Sequence, residues 1–336
     1  MYTSLLAEDD PYIWMEEVES EKALTWAKEI SDRTTAEFEA VPEFEGIHNQ
    51  LLEIYNSKDR IPGPTFRADY IYNFWQDPNH VRGIWRRTSL ESYLTDSPVW
   101  ETVLDIDALA EAEGENWVWK GVTYLKPEER LAMVRLSRGG ADATVEREFD
   151  TQTKRFVENG FYLPEAKSRV SWLNKDTLYI GTDFGEGSLT DSGYPRISKS
   201  WKRGKPLEKA KTIFEGRPKD IAAGTYVSHT PEGRYEIVSV APEFFKSISY
   251  LKLGKRLVKL EIPDDAELQG IFKEQLLISL RSNWTIGDTT YPGDALLAIG
   301  LDDFLQGKRN FDLLFKPQER VAFNSLITTR DHLIYT

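Results

Sequence analysis

The feature that most constrains this chain is a recurring unit of two extended runs joined by a polar turn. The paired runs are 122–124 with 131–136, 170–172 with 177–180, 227–230 with 235–240, 269–272 with 275–280, and 323–327 with 332–335. The unit starts at 122, 170, 227, 269 and 323 are separated by 48, 57, 42 and 54 residues. A period of about 40–50 residues with several strands per unit is the pattern of a β-propeller, in which each repeat is one blade. A second pair of runs supplies the outer strands of each unit: 144–149 with 154–157, 195–201 with 211–215, 247–253 with 256–262, and 294–301 with 311–315. An earlier blade is read at 66–75, 83–88 and 100–106, with a tight turn at Arg67-Ala68-Asp69. Apolar and polar residues alternate only loosely along these runs, as expected where both faces of a blade are packed.

The predicted fold is therefore all-β, a propeller of four-stranded blades. Only 105–113 and 207–210 read as helical turns within it. Residues 1–62 read differently, as an N-terminal α-helical arm. Ala23, Leu24, Ala27, Ile30 and Thr34 recur near helical spacing over 19–38, and Ile47, Leu51, Leu52 and Tyr55 mark a second helix after Pro42. Ile61-Pro62-Gly63-Pro64 breaks the pattern and sets the boundary. Residues 63–336 then hold blades one to five and the first hairpin of a sixth. Because a propeller closes to remove its open edges, an incomplete propeller of about five and a half blades is expected to be a piece of a longer protein.

Charge and composition narrow the function classes. The net charge is −13, which argues against nucleic acid and against an anionic membrane surface as partners. Cysteine is absent, so disulfides, thiolate metal sites and a cysteine nucleophile are excluded. The first ten residues lack the basic and apolar regions of a signal peptide, and the expectation is a cytoplasmic protein, with a periplasmic home compatible.

Four segments in order carry a family resemblance: Asp10-Pro11-Tyr12-Ile13-Trp14-Met15-Glu16-Glu17, Lys22-Ala23-Leu24-Thr25-Trp26, the stretch from Gly187-Ser188-Leu189 to Gly193-Tyr194-Pro195-Arg196, and Lys211-Thr212-Ile213-Phe214-Glu215-Gly216. Together they resemble the N-terminal part of the prolyl oligopeptidase family of serine peptidases, and the resemblance covers essentially the whole chain. It implies a helical arm, a seven-bladed propeller that restricts entry to short peptides, and a C-terminal α/β-hydrolase domain that carries a Ser-Asp-His triad. That domain is absent from these residues, so no catalytic residue is carried over and the chain alone is expected to be inactive. The implied partners are the hydrolase domain and short peptides, and self-association through the open propeller edge is a further expectation. The alternative reading is a stand-alone propeller scaffold for protein or peptide binding.

No other chemistry emerges. There is no G-x-S-x-G nucleophile elbow, and Ser188 and Ser192 read as loop residues. His48, His80, His229 and His332 are not paired at metal-ligand spacing. Asp105 with Asp107, Asp264-Asp265 and Asp302-Asp303 sit at expected turns, where aspartate bonds its own backbone. Arg86-Arg87 and Lys202-Arg203 read as solvated basic spots. No catalytic, cofactor-binding or metal-binding residue is assigned, and no cofactor is implied.

Overall fold

A computed structural model of the protein describes residues 10–17, 20–57 and 63–336. The chain divides into two compact units, residues 1–62 and 63–336. In the first unit Ser20 accepts the Ala23 N–H and caps helix α1 (Glu21–Glu39). Helix α2 (Phe44–Tyr55) starts two residues past Pro42, which cannot continue a helix. A 3-10 turn at Ile13–Glu16 precedes α1 and brings Trp14 edge-on to Trp26, with the Lys22 ammonium 4.2 Å from the Trp14 ring centre. The first two family segments thus fold onto each other.

The second unit is a series of antiparallel meanders. Blade 1 comprises β1 (Thr65–Arg67), β2 (Tyr70–Asp77), β3 (His80–Ser89) and β4 (Glu101–Asp105), with a short helix α3 (Leu90–Tyr93) before β4 and α4 (Ile106–Glu113) after it. Blade 2 comprises β5 (Trp117–Tyr124), β6 (Leu131–Arg138), β7 (Thr144–Asp150) and β8 (Arg155–Phe156). A fifth strand, β9 (Tyr162–Ala166), also pairs with β7. Blade 3 is β10 (Arg169–Asn174), β11 (Thr177–Gly181), β12 (Ile197–Lys202) and β13 (Lys211–Glu215). Blade 4 is β14 (Ala222–His229), β15 (Arg234–Glu243), β16 (Lys246–Leu253) and β17 (Arg256–Lys259). Blade 5 uses β18 (Glu267–Phe272) and β19 (Gln275–Ser279), then a separate hairpin β20 (Trp284–Ile286) and β21 (Thr289–Tyr291), then β22 (Leu296–Gly300), helix α5 (Leu301–Leu305) and β23 (Asp312–Phe315). A last hairpin pairs β24 (Leu326–Thr328) with β25 (Leu333–Tyr335).

The hydrophobic core is divided among the spaces between blades. Tyr72, Trp85 and Val103 of blade 1 meet Trp117, Val134 and Phe149 of blade 2. Met133 and Leu163 of blade 2 meet Trp172, Leu178 and Trp201 of blade 3. Ala223, Val238 and Val240 of blade 4 pack with Phe214 of blade 3. Ile237 and Leu251 of blade 4 join Leu276, Ile278 and Leu297 of blade 5. Successive residues therefore serve opposite interfaces: Met133 faces blade 3 while Val134 faces blade 1, and Val238 faces blade 3 while Ile237 faces blade 5. That is the physical origin of the weak alternation, because a strand buried on both faces has no polar face to show.

The propeller class and the four-stranded blades stand as read from the sequence. Four details differ. Strand β9, the β20–β21 hairpin and helices α3 and α5 are additions to the repeat read from the sequence. The boundary residues Ile61 and Pro62 lie outside the described residues.

Candidate functional site

The first strands of blades 2, 3 and 4 lie at the ends of their sheets and against one another, β5 beside β10 and β10 beside β14. Side chains stitch them together. The Trp172 indole N–H donates to the Thr123 carbonyl at 2.9 Å, and the Val227 N–H donates to Ser171 Oγ at 2.9 Å. His229 Nε2 lies 2.9 Å from the Trp172 carbonyl and donates to it. Further out, the Arg203 guanidinium of blade 3 holds the buried Glu148 of blade 2 at 2.7 and 2.8 Å, and the Tyr179 hydroxyl of blade 3 donates to Glu236 of blade 4. These ties make blades 2–4 a fixed block, which any site on them needs.

Two cavities follow each other along this block. The outer one, about 570 Å3, is at the turns between first and second strands and is lined by Leu125, Pro127, Leu131, Leu173 and His229 with Lys126, Arg130, Lys175 and Arg234 around them. The inner one, about 360 Å3, begins two or three residues back along each strand, at Thr123, Ser171 and Tyr226. It is lined also by Arg135, Ser168, Arg169, Gly224, Thr225 and Ser239. Gly121 sits at φ +107° where β5 is bulged, and a Cβ there would be 3.1 Å from an Arg135 terminal nitrogen. The missing side chain leaves room for the guanidinium.

Behind Arg135, directly across the β6–β7 ladder, is Glu146. It is fully buried, and neither carboxylate oxygen has a hydrogen-bond partner. Burial pushes its carboxyl up to about 7, against the attraction of the Arg135 charge, which pulls it down.

Connections between second and third strands fall on the opposite face from these turns, because neighbouring strands run antiparallel. There the loops are long in blade 3 (182–196) and in blade 5 (280–295). In blade 4 that connection presents Phe244 and Phe245, 88% and 68% exposed, with Arg281 stacked 4.5 Å from the Phe245 ring centre. Large exposed aromatics in neighbouring positions are the usual mark of a contact surface.

Residues singled out in the sequence are accounted for locally. Ser188 is buried, accepts the Phe184 N–H and donates to Asp183. Asp105 caps α4 through the Ala108 N–H, and Asp107 accepts the N–H groups of Arg82 and Gly83. Asp265 bonds Ser282, and Asp303 pairs with Lys308 at 2.7 Å. His80 bonds Asp77, whose carboxyl sits at about 2: burial raises it, but hydrogen bonds from Trp75, His80 and the Asn79 and His80 backbone outweigh that. His48 lies in α2 and His332 in the last hairpin turn. Among the described residues no group of three or more His, Asp or Glu side chains could hold a metal.

The basic pairs need correction. Arg87 is buried and bonds Glu101 (2.6 Å), the Tyr72 hydroxyl and the Thr151 carbonyl of blade 2, while Arg86 lies 4.4 Å from both the Trp75 and Trp100 ring centres. Arg203 is the inter-blade tie described above. Only Lys202 of the four is exposed. Guanidinium groups bury more readily than ammonium groups where planar partners are in reach.

The later family segments also meet. Arg196 donates to Glu215 at 2.7 Å and to the Gly216 carbonyl at 2.8 Å, and the Gly216 N–H returns a bond to the Arg196 carbonyl at 2.7 Å. The resemblance thus rests on residues that lock a loop to a strand.

Comparison with known proteins agrees with this architecture. The family profile "Prolyl oligopeptidase, N-terminal beta-propeller domain" matches residues 7–262. The chain is 36% identical over 335 residues to an uncharacterized peptidase of Sinorhizobium fredii, covering 97% of this chain and 46% of the relative. A post-proline cleaving enzyme from Rickettsia typhi superimposes with a TM-score of 0.87 at 31% identity, over 94% of this chain and 48% of that one. Oligopeptidase B from Leishmania major shares the fold, with a TM-score of 0.70 at 13% identity over 97% of this chain and 44% of that one. The chain therefore spans about half the length of these relatives. It belongs to the prolyl oligopeptidase family, of which it carries the N-terminal β-propeller domain.

Proposed function

We propose that this chain is the propeller part of a prolyl oligopeptidase-like peptidase, and that it gates the passage of short peptides to a hydrolase domain lying outside these residues. The observation that carries the reading is the family match over the arm and the first four blades, together with coverage of about half of each related peptidase. The geometry supports a gate. Apolar walls with a charged rim of Lys126, Glu128, Arg130, Lys175 and Arg234 surround the outer cavity, and the inner cavity continues along the same three strands. The surface on the other side, with its long loops and the Phe244-Phe245 pair, suits a protein partner, and the hydrolase domain is the partner we assign to it.

Acyl transfer from a peptide needs an activated nucleophile and an oxyanion hole. Ser188, held between the Phe184 N–H and Asp183, has neither a histidine base nor an open face. Chemistry therefore belongs to the partner domain, and this unit acts by admission and positioning.

The test joins residues 1–336 to the hydrolase part of the Rickettsia typhi enzyme. The chimera is expected to cleave a short peptide after proline, and residues 1–336 alone are expected to give no turnover. A well-folded chimera that leaves proline peptides intact while the native Rickettsia enzyme cleaves them would overturn the assignment.

A further inference from the structure

We propose that the inner cavity of blades 2–4 binds the free α-carboxylate of a short peptide, through Arg135 and Arg169. Both arginines line the cavity, and among the described residues neither has a carboxylate within ion-pair distance or any hydrogen-bond acceptor. Arg135 is half-buried with its Nε enclosed and without an acceptor, whereas Arg87, Arg196 and Arg203 are paired with Glu101, Glu215 and Glu148; Arg169 is exposed at the cavity mouth. An unpaired cation in a chain of net charge −13 is a position where an acid has been left out.

A second observation points into the same space. Thr225 is only 8% exposed, yet its Oγ1 has no hydrogen-bond partner, and it lines the cavity. A buried hydroxyl without a partner is costly unless something completes it. Glycine leaves room on two sides: Gly121 admits the Arg135 guanidinium, and Gly224 lines the cavity without a side chain to occupy it. Glu146 stands behind Arg135 without a hydrogen bond or ion pair to it, and below about pH 7 burial keeps it mostly protonated, so there it does not neutralise the guanidinium.

Two guanidinium groups and a hydroxyl suit a planar carboxylate. The first strands also have one unpaired edge each, which can receive an extended peptide backbone. This inference rests on the peptidase reading above for its choice of a peptide acid over other anions.

The test is calorimetric titration of residues 1–336 with a proline-terminated tripeptide acid, with the same peptide as its C-terminal amide, and with inorganic phosphate. The acid is expected to bind about tenfold more tightly than the amide, the difference of one charge-assisted contact. Arg169→Gln, a change at an exposed side chain, is expected to abolish that preference. Gly224→Leu, which fills the cavity beside the Arg169 stem while leaving both charges in the chain, is expected to abolish acid binding. Equal binding of acid and amide, or an unchanged preference in Arg169→Gln, would overturn the proposal. Phosphate binding tighter than the peptide acid would overturn the carboxylate assignment. Because this assay reads binding and the chimera reads cleavage, failure here leaves the gate reading standing, and failure there does not move the acid–amide ratio.

Discussion

Replacing Glu146 with Gln is expected to stabilise the propeller by an amount that grows as pH rises from about 4.5 and is complete above about 7. Glu146 is buried opposite Arg135 without a hydrogen bond to either oxygen. Its carboxyl is raised from the ordinary 4.5 to about 7. The folded state therefore holds the proton more tightly than the unfolded state does. Below 4.5 the residue is protonated in both states and carries no penalty. Stability then falls as pH rises through the interval, and above about 7 the full penalty is present, because the ionised group must be kept out of water. That shift corresponds to about 3 kcal/mol. Gln keeps the volume and cannot ionise. At pH 8 the variant should therefore melt roughly 5–10 °C higher than the parent, given the usual relation between stability and melting point for a domain of this size. At pH 4.5 the two should melt together. Thermal unfolding followed by circular dichroism across this range is the assay. A Tm difference of the same size and sign at both ends would refute the reasoning, since it would show that ionisation is not the cause.

Other outcomes follow from the same contacts. Arg203→Met strands the buried Glu148 carboxylate and should cost roughly 3–5 kcal/mol in denaturant unfolding; adding Glu148→Gln should restore much of it, and an unrepaired loss would place the effect elsewhere. Gly216→Ala sets a methyl 2.8 Å from the Ala223 Cβ and should cost about 1–3 kcal/mol by the same measurement. In the two-residue turn of blade 5, Lys273 and Glu274 both adopt positive φ, 48° and 61°, so Glu274→Gly should raise stability by about 0.5–1 kcal/mol. Ile334 is exposed in the two-stranded β24–β25 sheet, and Ile334→Lys should slow concentration-dependent association measured by light scattering.

Much of the fold was legible because hairpins are local. The turns at Arg67-Ala68-Asp69 and Lys273-Glu274 and the strand pairs around them follow from short-range pattern alone. First strands begin at residues 65, 117, 169, 222 and 267, so the blade period was legible although individual runs were placed a few residues off. Strand β9 was hidden because Tyr162–Ala166 contains Pro164 and Glu165 and gains its pairing only where β8 stops after two residues. The β20–β21 hairpin lies inside a connection, so nothing in the blade period marks it. Arg87 and Arg203 looked solvated because their partners, Thr151 and Glu148, come from other parts of the chain. The inner cavity was unreadable for the same reason. Arg135 and Arg169 stand 34 positions apart in the sequence and share a space only through the packing of β5, β10 and β14.

The central claim is that this unit selects what reaches the partner domain. Its most direct test compares two substrates for the chimera with the Rickettsia typhi hydrolase part: a short proline-containing peptide, and the same sequence embedded in a long unfolded polypeptide. The chimera is expected to cleave the short peptide far faster than the embedded site. Equal cleavage of the two substrates by the chimera would contradict it.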